Sequence, residues 1–310
     1  MASNEAIPAD VVQSEADSTP DKDAPGVKTA PLLAPSVVLL LAWMIVPLGM
    51  TLWFSFQRYN LLSPNISGFA GFNNYAFLLA NGALWNAIFN TILLVGGVLI
   101  ATLVLGLVCA VLLNQEFAGN SVARLFCILP FFVMPTVSAL VWKNLLMHPV
   151  NGLFAWISKS LNLPVVDWFT DLPLFSIGII VAWQWIPFAT LVLLTSLQSL
   201  DREQVEAARM DGARGWSLFT NITLPHLCRS LTIVAMIETI FLLSIFAEIL
   251  VTTAGGPGNS STTLPYLIYK IAMLDWNVGI ASAGGVVAII LANIVALFLI
   301  RTIAHTLERQ

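Results

Sequence analysis

The sequence predicts an all-α polytopic membrane protein, and three observations carry that prediction. The chain is 58% hydrophobic and only 10% charged, against roughly a quarter charged in soluble domains. Its mean hydropathy is +0.86. Apolar runs of roughly 20 residues, the length needed to cross a hydrocarbon core about 30 Å thick, recur along its 310 residues between charged, proline-containing or polar clusters.

Six such runs emerge. The first covers about 32–56, and the second, 87–113, holds no charge between Ala87 and Leu113. The third covers 124–147, the fourth 174–197 with Pro187 inside it, the fifth 226–252 and the sixth 278–303. Together they define a transmembrane domain over 31–310. Pro187 is expected to kink the fourth span and free a carbonyl, a device tolerated where neighbouring helices satisfy it. Residues 1–30 differ in kind. Glu5, Asp10, Glu15, Asp17, Asp21 and Asp23 stand there with Pro8, Pro20, Pro25 and few large apolar groups, the composition of a disordered tail. A secretory signal needs a basic start followed by an apolar stretch, which an acidic tail does not offer, so the first span is read as permanent. Cys109, Cys127 and Cys228 sit in or beside spans without ligand-like spacing, which argues against a disulfide and against a metal site.

With six spans both termini face one side. If that side is the cytoplasm, Lys22, Lys28, Arg124, Arg202, Arg209, Arg214, Arg229, Arg301 and Arg309 lie inside. Only Arg58, Lys143, Lys159 and Lys270 of the 13 basic residues then lie outside, so the positive-inside rule favours cytoplasmic termini. Residues 198–225 become a long cytoplasmic excursion carrying Asp201, Arg202, Glu203, Glu206, Arg209, Asp211 and Arg214. Helix formers Ala207, Ala208 and Met210, with charges at helical spacing, predict a surface helix there that Gly212 ends.

The excursion has a fixed pattern: Glu206-Ala207-Ala208, three residues, Gly212, nine residues, Ile222, one residue, then Leu224-Pro225. At every fixed position it resembles the EAA loop of ABC importer permeases. Small Ala207 and Ala208 suit close approach, Gly212 suits a sharp turn, and Pro225 suits the start of the next span. The resemblance implies the type I importer permease fold, in which Glu206, Ala207, Ala208, Asp211, Gly212, Ile222, Leu224 and Pro225 form a coupling helix and its return to the bundle. Gly71-Phe72-Asn73-Asn74-Tyr75 and Gly255-Gly256-Pro257 resemble matching loops in sugar permeases of the maltose and glycerol-phosphate group. Since no G-x-x-x-x-G-K-[ST] occurs, the ATPase is expected on separate chains. ATP and Mg would bind there, with no cofactor on this chain. The resemblance further implies a homologous second permease, two ATPase subunits, a periplasmic solute-binding protein, a carbohydrate substrate and a bacterial inner membrane, with no role for nucleic acid.

Ionisable groups inside spans are costly and therefore functional candidates. Glu238 lies near the middle of the fifth span and Glu248 nearer its outer end. The maltose-type pattern, carried over without gaps, implies sugar contacts at Glu238, Phe241, Leu242 and Ile245, and at Val181, Gln184, Trp185 and Phe188. Each set is spaced i, i+3, i+4, i+7 and so shares one helical face. Glu238 and Gln184 can hydrogen-bond hydroxyls, while Trp185, Phe188 and Phe241 can stack on C–H faces. Val181, Leu242 and Ile245 replace asparagines of the maltose pattern, which points away from a bulky disaccharide. The plainer alternative makes the aromatics core or lipid-facing groups. Residues 236–300, including Phe246-Ala247-Glu248, resemble sorbitol and mannitol permeases, so the expected substrate is a sugar alcohol, with monosaccharides and acidic sugars as competitors. Two other classes stand beside this one. One is a cation-coupled secondary carrier that uses Glu238. The other is a membrane-embedded enzyme, against which His148, His226 and His305 scatter at span ends.

Overall fold

The computed structural model describes residues 30–307. The tail expected over 1–30 lies outside them apart from Ala30, as do Lys22, Lys28 and Arg309. Among the described residues the one sheet is a minimal antiparallel pair, β1 (Gln57–Arg58) with β2 (Gly68–Phe69). Everything else of regular structure is helical. Apart from the short helical turns at Trp168–Asp171 and Trp216–Leu218, the α-helices are α1 (Ala30–Ser55), α2 (Asn73–Ala80), α3 (Gly82–Leu113), α4 (Asn120–Ile128), α5 (Pro135–Val141) and α6 (Leu153–Ser160). They continue as α7 (Pro173–Gln198), α8 (Arg202–Met210), α9 (Leu224–Leu242), α10 (Ala247–Thr252), α11 (Leu264–Tyr269) and α12 (Val278–Leu307).

The chain divides into two units after Met50. In the first, α1 stays helical through Pro35 and Pro47 and presents exposed Leu39, Trp43 and Met44, a surface suited to lipid. In the second, α3 and α7 form the spine. Thr102, Gly106 and Ala110 recur every fourth residue on the buried face of α3, so small groups are stacked where a neighbouring backbone can approach. At Gly106 it does: a Cβ there would stand 2.6 Å from the Ala189 Cβ and 3.3 Å from the Thr190 amide nitrogen. Toward one end of the spine Leu94, Val95 and Val98 pack with Ile177, Val181, Ala182, Leu242, Ile245 and Ile249. Toward the other, Ala110 and Leu113 pack with Leu193, Leu194, Leu197 and Leu227.

Two apolar runs differ from the expected continuous helices. In the third, α4 passes into a 3₁₀ turn at Leu129–Phe132, and α5 then leaves at 104° to that limb. Pro130 and Pro135 explain the break: each lacks an N–H, and Met134, ahead of Pro135, takes an extended conformation at ψ 137° because that position is barred from helix. The fifth run begins early and stops early. It extends from Trp216 through a π turn at Phe219–Thr223, so Pro225 sits inside a continuous rod rather than at its start. The widened turn accommodates a proline that cannot donate to the preceding turn. At the other end the helix stops at Leu242, where the Ser244 hydroxyl donates to the Phe241 carbonyl at 2.7 Å, and α10 resumes at Ala247. Pro187, by contrast, is held inside a helix that runs from Pro173 to Gln198.

The loops at the α3 N-terminal end are pinned by side chains. The Asn74 amide donates to the Ser55 and Gln57 carbonyls at 2.8 and 2.9 Å, and the Tyr75 hydroxyl donates to Ser55 Oγ at 2.7 Å. Asn90 donates to the carbonyls of Asn259 and Thr262, both at 3.0 Å. Gly255, at φ +80°, takes a left-handed turn with Thr262 and Tyr266 against it, room that no side chain could share.

The spine yields a paired stability prediction. Gly106→Leu should lower unfolding stability in detergent by about 1–3 kcal/mol through overpacking against Ala189. Gly97→Leu, on the same helix with nothing within 4 Å of its Cβ position, should show no loss in the same thermal-melt measurement.

Candidate functional site

The two helical faces marked out in the sequence meet each other. Val181 of α7 and Leu242 of α9 are buried in one cluster with Ile245, which lies just past the end of α9, and Trp185 packs against that cluster. Trp185 and Phe241 stand 5.2 Å apart between ring centroids, and Trp185 and Phe188 stand 5.9 Å apart. Phe131, from the 3₁₀ turn of the broken third run, completes the group at 5.9 Å from both Trp185 and Phe188. Phe241 remains 55% exposed and Phe131 38%. The eight residues therefore divide. Val181, Leu242 and Ile245 are dry packing, while Trp185, Phe188 and Phe241 join Phe131 in a continuous aromatic surface with an accessible edge. Sequence reasoning missed Phe131; the signal was its place in Pro130-Phe131-Phe132, four residues before a second proline.

The two polar members are both buried and both engaged. Glu238 is 0% exposed, and Thr102 Oγ1 of α3 lies 2.5 Å from its Oε2. Its Oε1 has no partner among the described residues. Thr102 Oγ1 also lies 3.0 Å from the Leu99 carbonyl, so one hydroxyl proton serves two acceptors. Gln184 donates through Nε2 to the Val133 carbonyl at 2.7 Å, which is the backbone group stranded at the bend between α4 and α5. Lys143 does the same work for α10, donating to the Val251 and Thr252 carbonyls at 3.0 and 2.7 Å, where a cation also complements the helix C-terminus. Glu248 is buried in the first turn of α10.

The 198–225 segment is built differently, from local bonds. Asp201 caps α8 by accepting from the Glu203 amide at 2.9 Å. At the other end the Ala213 amide donates back to the Ala208 carbonyl at 2.9 Å and the Gly212 amide to Arg209 at 3.1 Å, a Schellman closure that requires the left-handed φ of +88° found at Gly212. Ala208 and Gly212 thus terminate one helix together. Glu206, Ala207, Asp211 and Gly212 are exposed. So are two large apolar groups, Met210 at 89% and Trp216 at 77%. Ile222, Leu224 and Pro225 are half-buried at the return to the bundle, and His226 Nε2 lies 2.9 Å from the Ser196 carbonyl, which ties the segment's two ends.

Comparison with known proteins places this geometry. Residues 102–309 match the family described as the inner membrane component of binding-protein-dependent transport systems. A probable ABC transporter permease of Sinorhizobium fredii is 34% identical over 251 residues, covering 80% of this chain and 81% of that protein. The trehalose/maltose transport system permease of Thermococcus litoralis is 33% identical over 254 residues, covering 81% and 85%. A chain of a bacterial alginate ABC transporter, crystallised in complex with an alginate pentasaccharide-bound periplasmic protein, matches with a TM-score of 0.73 at 23% identity, covering 87% of this chain and 91% of that one.

Thr102 supplies the one bond to Glu238 and is the sensitive point of the buried pair. Thr102→Val should destabilise the folded chain by about 1–3 kcal/mol because it leaves a buried carboxyl without a partner, whereas Thr102→Ser, which keeps the hydroxyl, should stay close to wild type in the same unfolding assay.

Proposed function

The chain belongs to the family of binding-protein-dependent transport system inner membrane components, and from that premise we propose that it forms half of an ATP-driven pore importing a small carbohydrate. It is a multi-pass membrane permease and a transport component rather than an enzyme. The observation that carries the proposal is α8. A short helix closed at both ends by its own caps, joined to α7 and α9 and bearing exposed Glu206, Ala207 and Met210, with exposed Trp216 in the segment that follows it, is shaped to be held by another protein and to pass a push into two spans at once.

In this reading Glu206, Ala207, Ala208, Asp211 and Gly212 dock into an ATPase subunit, and Ile222, Leu224 and Pro225 carry the movement into α9. ATP and Mg reside on two such subunits. Both termini and α8 face the cytoplasm, and the opposite end receives solute from a periplasmic binding protein. ATP-driven closure of the ATPase pair draws α8 inward and opens the path outward, and hydrolysis resets it. The accessible edge of Phe131, Trp185, Phe188 and Phe241 borders that path and faces a homologous second permease. Aromatic faces suit the C–H surfaces of a sugar.

Glu238 and Gln184 each have one atom engaged within the chain and only Oε1 left without a partner among the described residues, which favours a solute of monosaccharide size, or one whose hydroxyls are met chiefly by the second permease. A sugar alcohol is the specific proposal, from the likeness of residues 236–300 to polyol permeases. The relatives named for trehalose, maltose and alginate support the broader carbohydrate class. A second reading, a cation-coupled carrier, draws on the unpartnered Glu238 Oε1.

Vesicle uptake separates these readings. Glu206→Lys should reduce ATP-dependent uptake about tenfold or more, since reversing an interfacial charge costs roughly 2 kcal/mol. Gly212→Pro should abolish it, because proline cannot take φ +88°; membrane insertion of both variants should stay normal. Wild-type uptake in both variants would remove α8 from the mechanism, and uptake driven by a cation gradient without ATP would favour the carrier.

A further inference from the structure

At the end of the bundle where α3 and α12 begin, far from α8, lies a cavity of about 290 Å³. Phe77, Asn81, Asn259, Lys270, Asp275 and Asn277 are among its walls. It is separate from the aromatic surface of α7 and α9, and none of the residues marked out in the sequence as substrate contacts lines it.

Its three asparagines are set in place by the fold. Asn81 Oδ1 accepts from the Ala83 amide at 2.9 Å and caps α3. Asn277 Oδ1 accepts from the Ile280 amide at 3.1 Å in the first turn of α12. The backbone carbonyl of Asn259 is held by Asn90. In Asn81 and Asn277 the side-chain oxygen is thus committed to structure, while at Asn259 the bond fixes the backbone; the Nδ2 groups of the three make no hydrogen bond among the described residues. The Lys270 ammonium and the Asp275 carboxylate also lack a side-chain partner among them. Donors from the three amides and Lys270 therefore stand beside one strong acceptor, Asp275, and the exposed ring of Phe77.

That set discriminates between ligand classes. An anion would be drawn to Lys270 but repelled by Asp275, and a cation the reverse, so a single charge of either sign gains little there. A neutral hydroxyl both donates and accepts, so a vicinal diol can use Asp275 and the amides together, while Phe77 covers a C–H face. The volume is at the small end of the roughly 300–1,000 Å³ of small-molecule sites, which suits one ring or one six-carbon chain. We propose that this cavity is an outer-face binding site for a single neutral polyhydroxylated molecule, a monosaccharide or sugar alcohol, distinct from the path through the bundle. The choice of a saccharide and of the outer face rests on the carbohydrate-importer reading; the hydroxyl-binding chemistry comes from the cavity.

The test uses the whole transporter in lipid nanodiscs without its binding protein, with D-glucitol, D-glucose and glucuronate as probes in saturation-transfer NMR. The neutral probes should bind. Lys270→Ala, Asp275→Ala and Asn277→Asp should each weaken that binding about fivefold or more with melting temperature unchanged, since aspartate keeps the capping oxygen and exchanges the donor for a negative charge. Neutral binding that all three variants leave intact would place the site elsewhere and overturn the proposal, as would no binding at all. Glucuronate binding alone, strengthened by Asp275→Ala, would make it an anion site and overturn it too. Uptake of the same sugars with the binding protein present tests the importer reading separately. Uptake without cavity binding sinks only this site, and cavity binding without uptake sinks only that reading.

Discussion

The near contact of α3 with α7 at Gly106 is the constraint on which the second unit is organised. With no side chain at that position the helices come within reach of each other's backbones, and the buried positions above and below it fall into register along the shared seam. In a membrane there is little hydrophobic gain from pairing two apolar helices, so close packing of small groups supplies the adhesion. One turn from Gly106, the same face carries Thr102 to Glu238; one turn the other way it carries Ala110 into the cluster that holds the roots of the α8 segment. The buried Glu238 and the exposed α8 are thus hung from one spine.

Around that spine the chain tolerates interruptions that would be ruinous in lipid. Non-helical backbone at membrane depth needs internal partners, and the interruptions beside the spine have them. Gln184 takes the Val133 carbonyl at the bend of the third run, and Lys143 takes the last carbonyls of α10. Thr91 Oγ1 accepts the Leu264 amide at 2.8 Å where the loop after α10 returns to α3. These bonds hold the discontinuous segments in place within the bundle. Segments joined by few side-chain bonds can change their mutual angle at smaller cost than unbroken helices, a property that an alternating-access pathway requires.

The two ends of the unit contrast in how they are stabilised. The α8 segment depends on local caps, Asp201 and Gly212, and stands clear with Met210 and Trp216 exposed. The opposite end is cross-linked over long range by Asn74, Asn90 and Thr91. Local caps let a helix hold its shape as a body, and the long-range bonds of the rim hold the walls of its cavity in place.

Much of this was legible in the order of residues. The all-α class, the apolar runs, and the capped helix ending at Gly212 follow from local chemistry: transfer free energy over roughly 20 residues, a capping side chain, and a glycine free to take positive φ. The likeness to the maltose-type pattern also marked the two faces, within 181–188 and within 238–245, that meet. The breaks were only half legible. Pro130 and Pro135 announced the bend in the third run, but no Gly or Pro marks the stop at Leu242, and Pro225 falls inside a helix rather than opening one. What the tertiary structure alone decided is who meets whom. Glu238 finds Thr102 across 136 residues of sequence, Gln184 serves a carbonyl 51 residues away, and Val181, Leu242 and Ile245 become core because α3 closes over them. Local composition sets whether a segment enters the membrane as a helix, while the pairing of its faces depends on the close approach of distant backbones, for which a lone glycine at position 106 is too small a signal to read in advance.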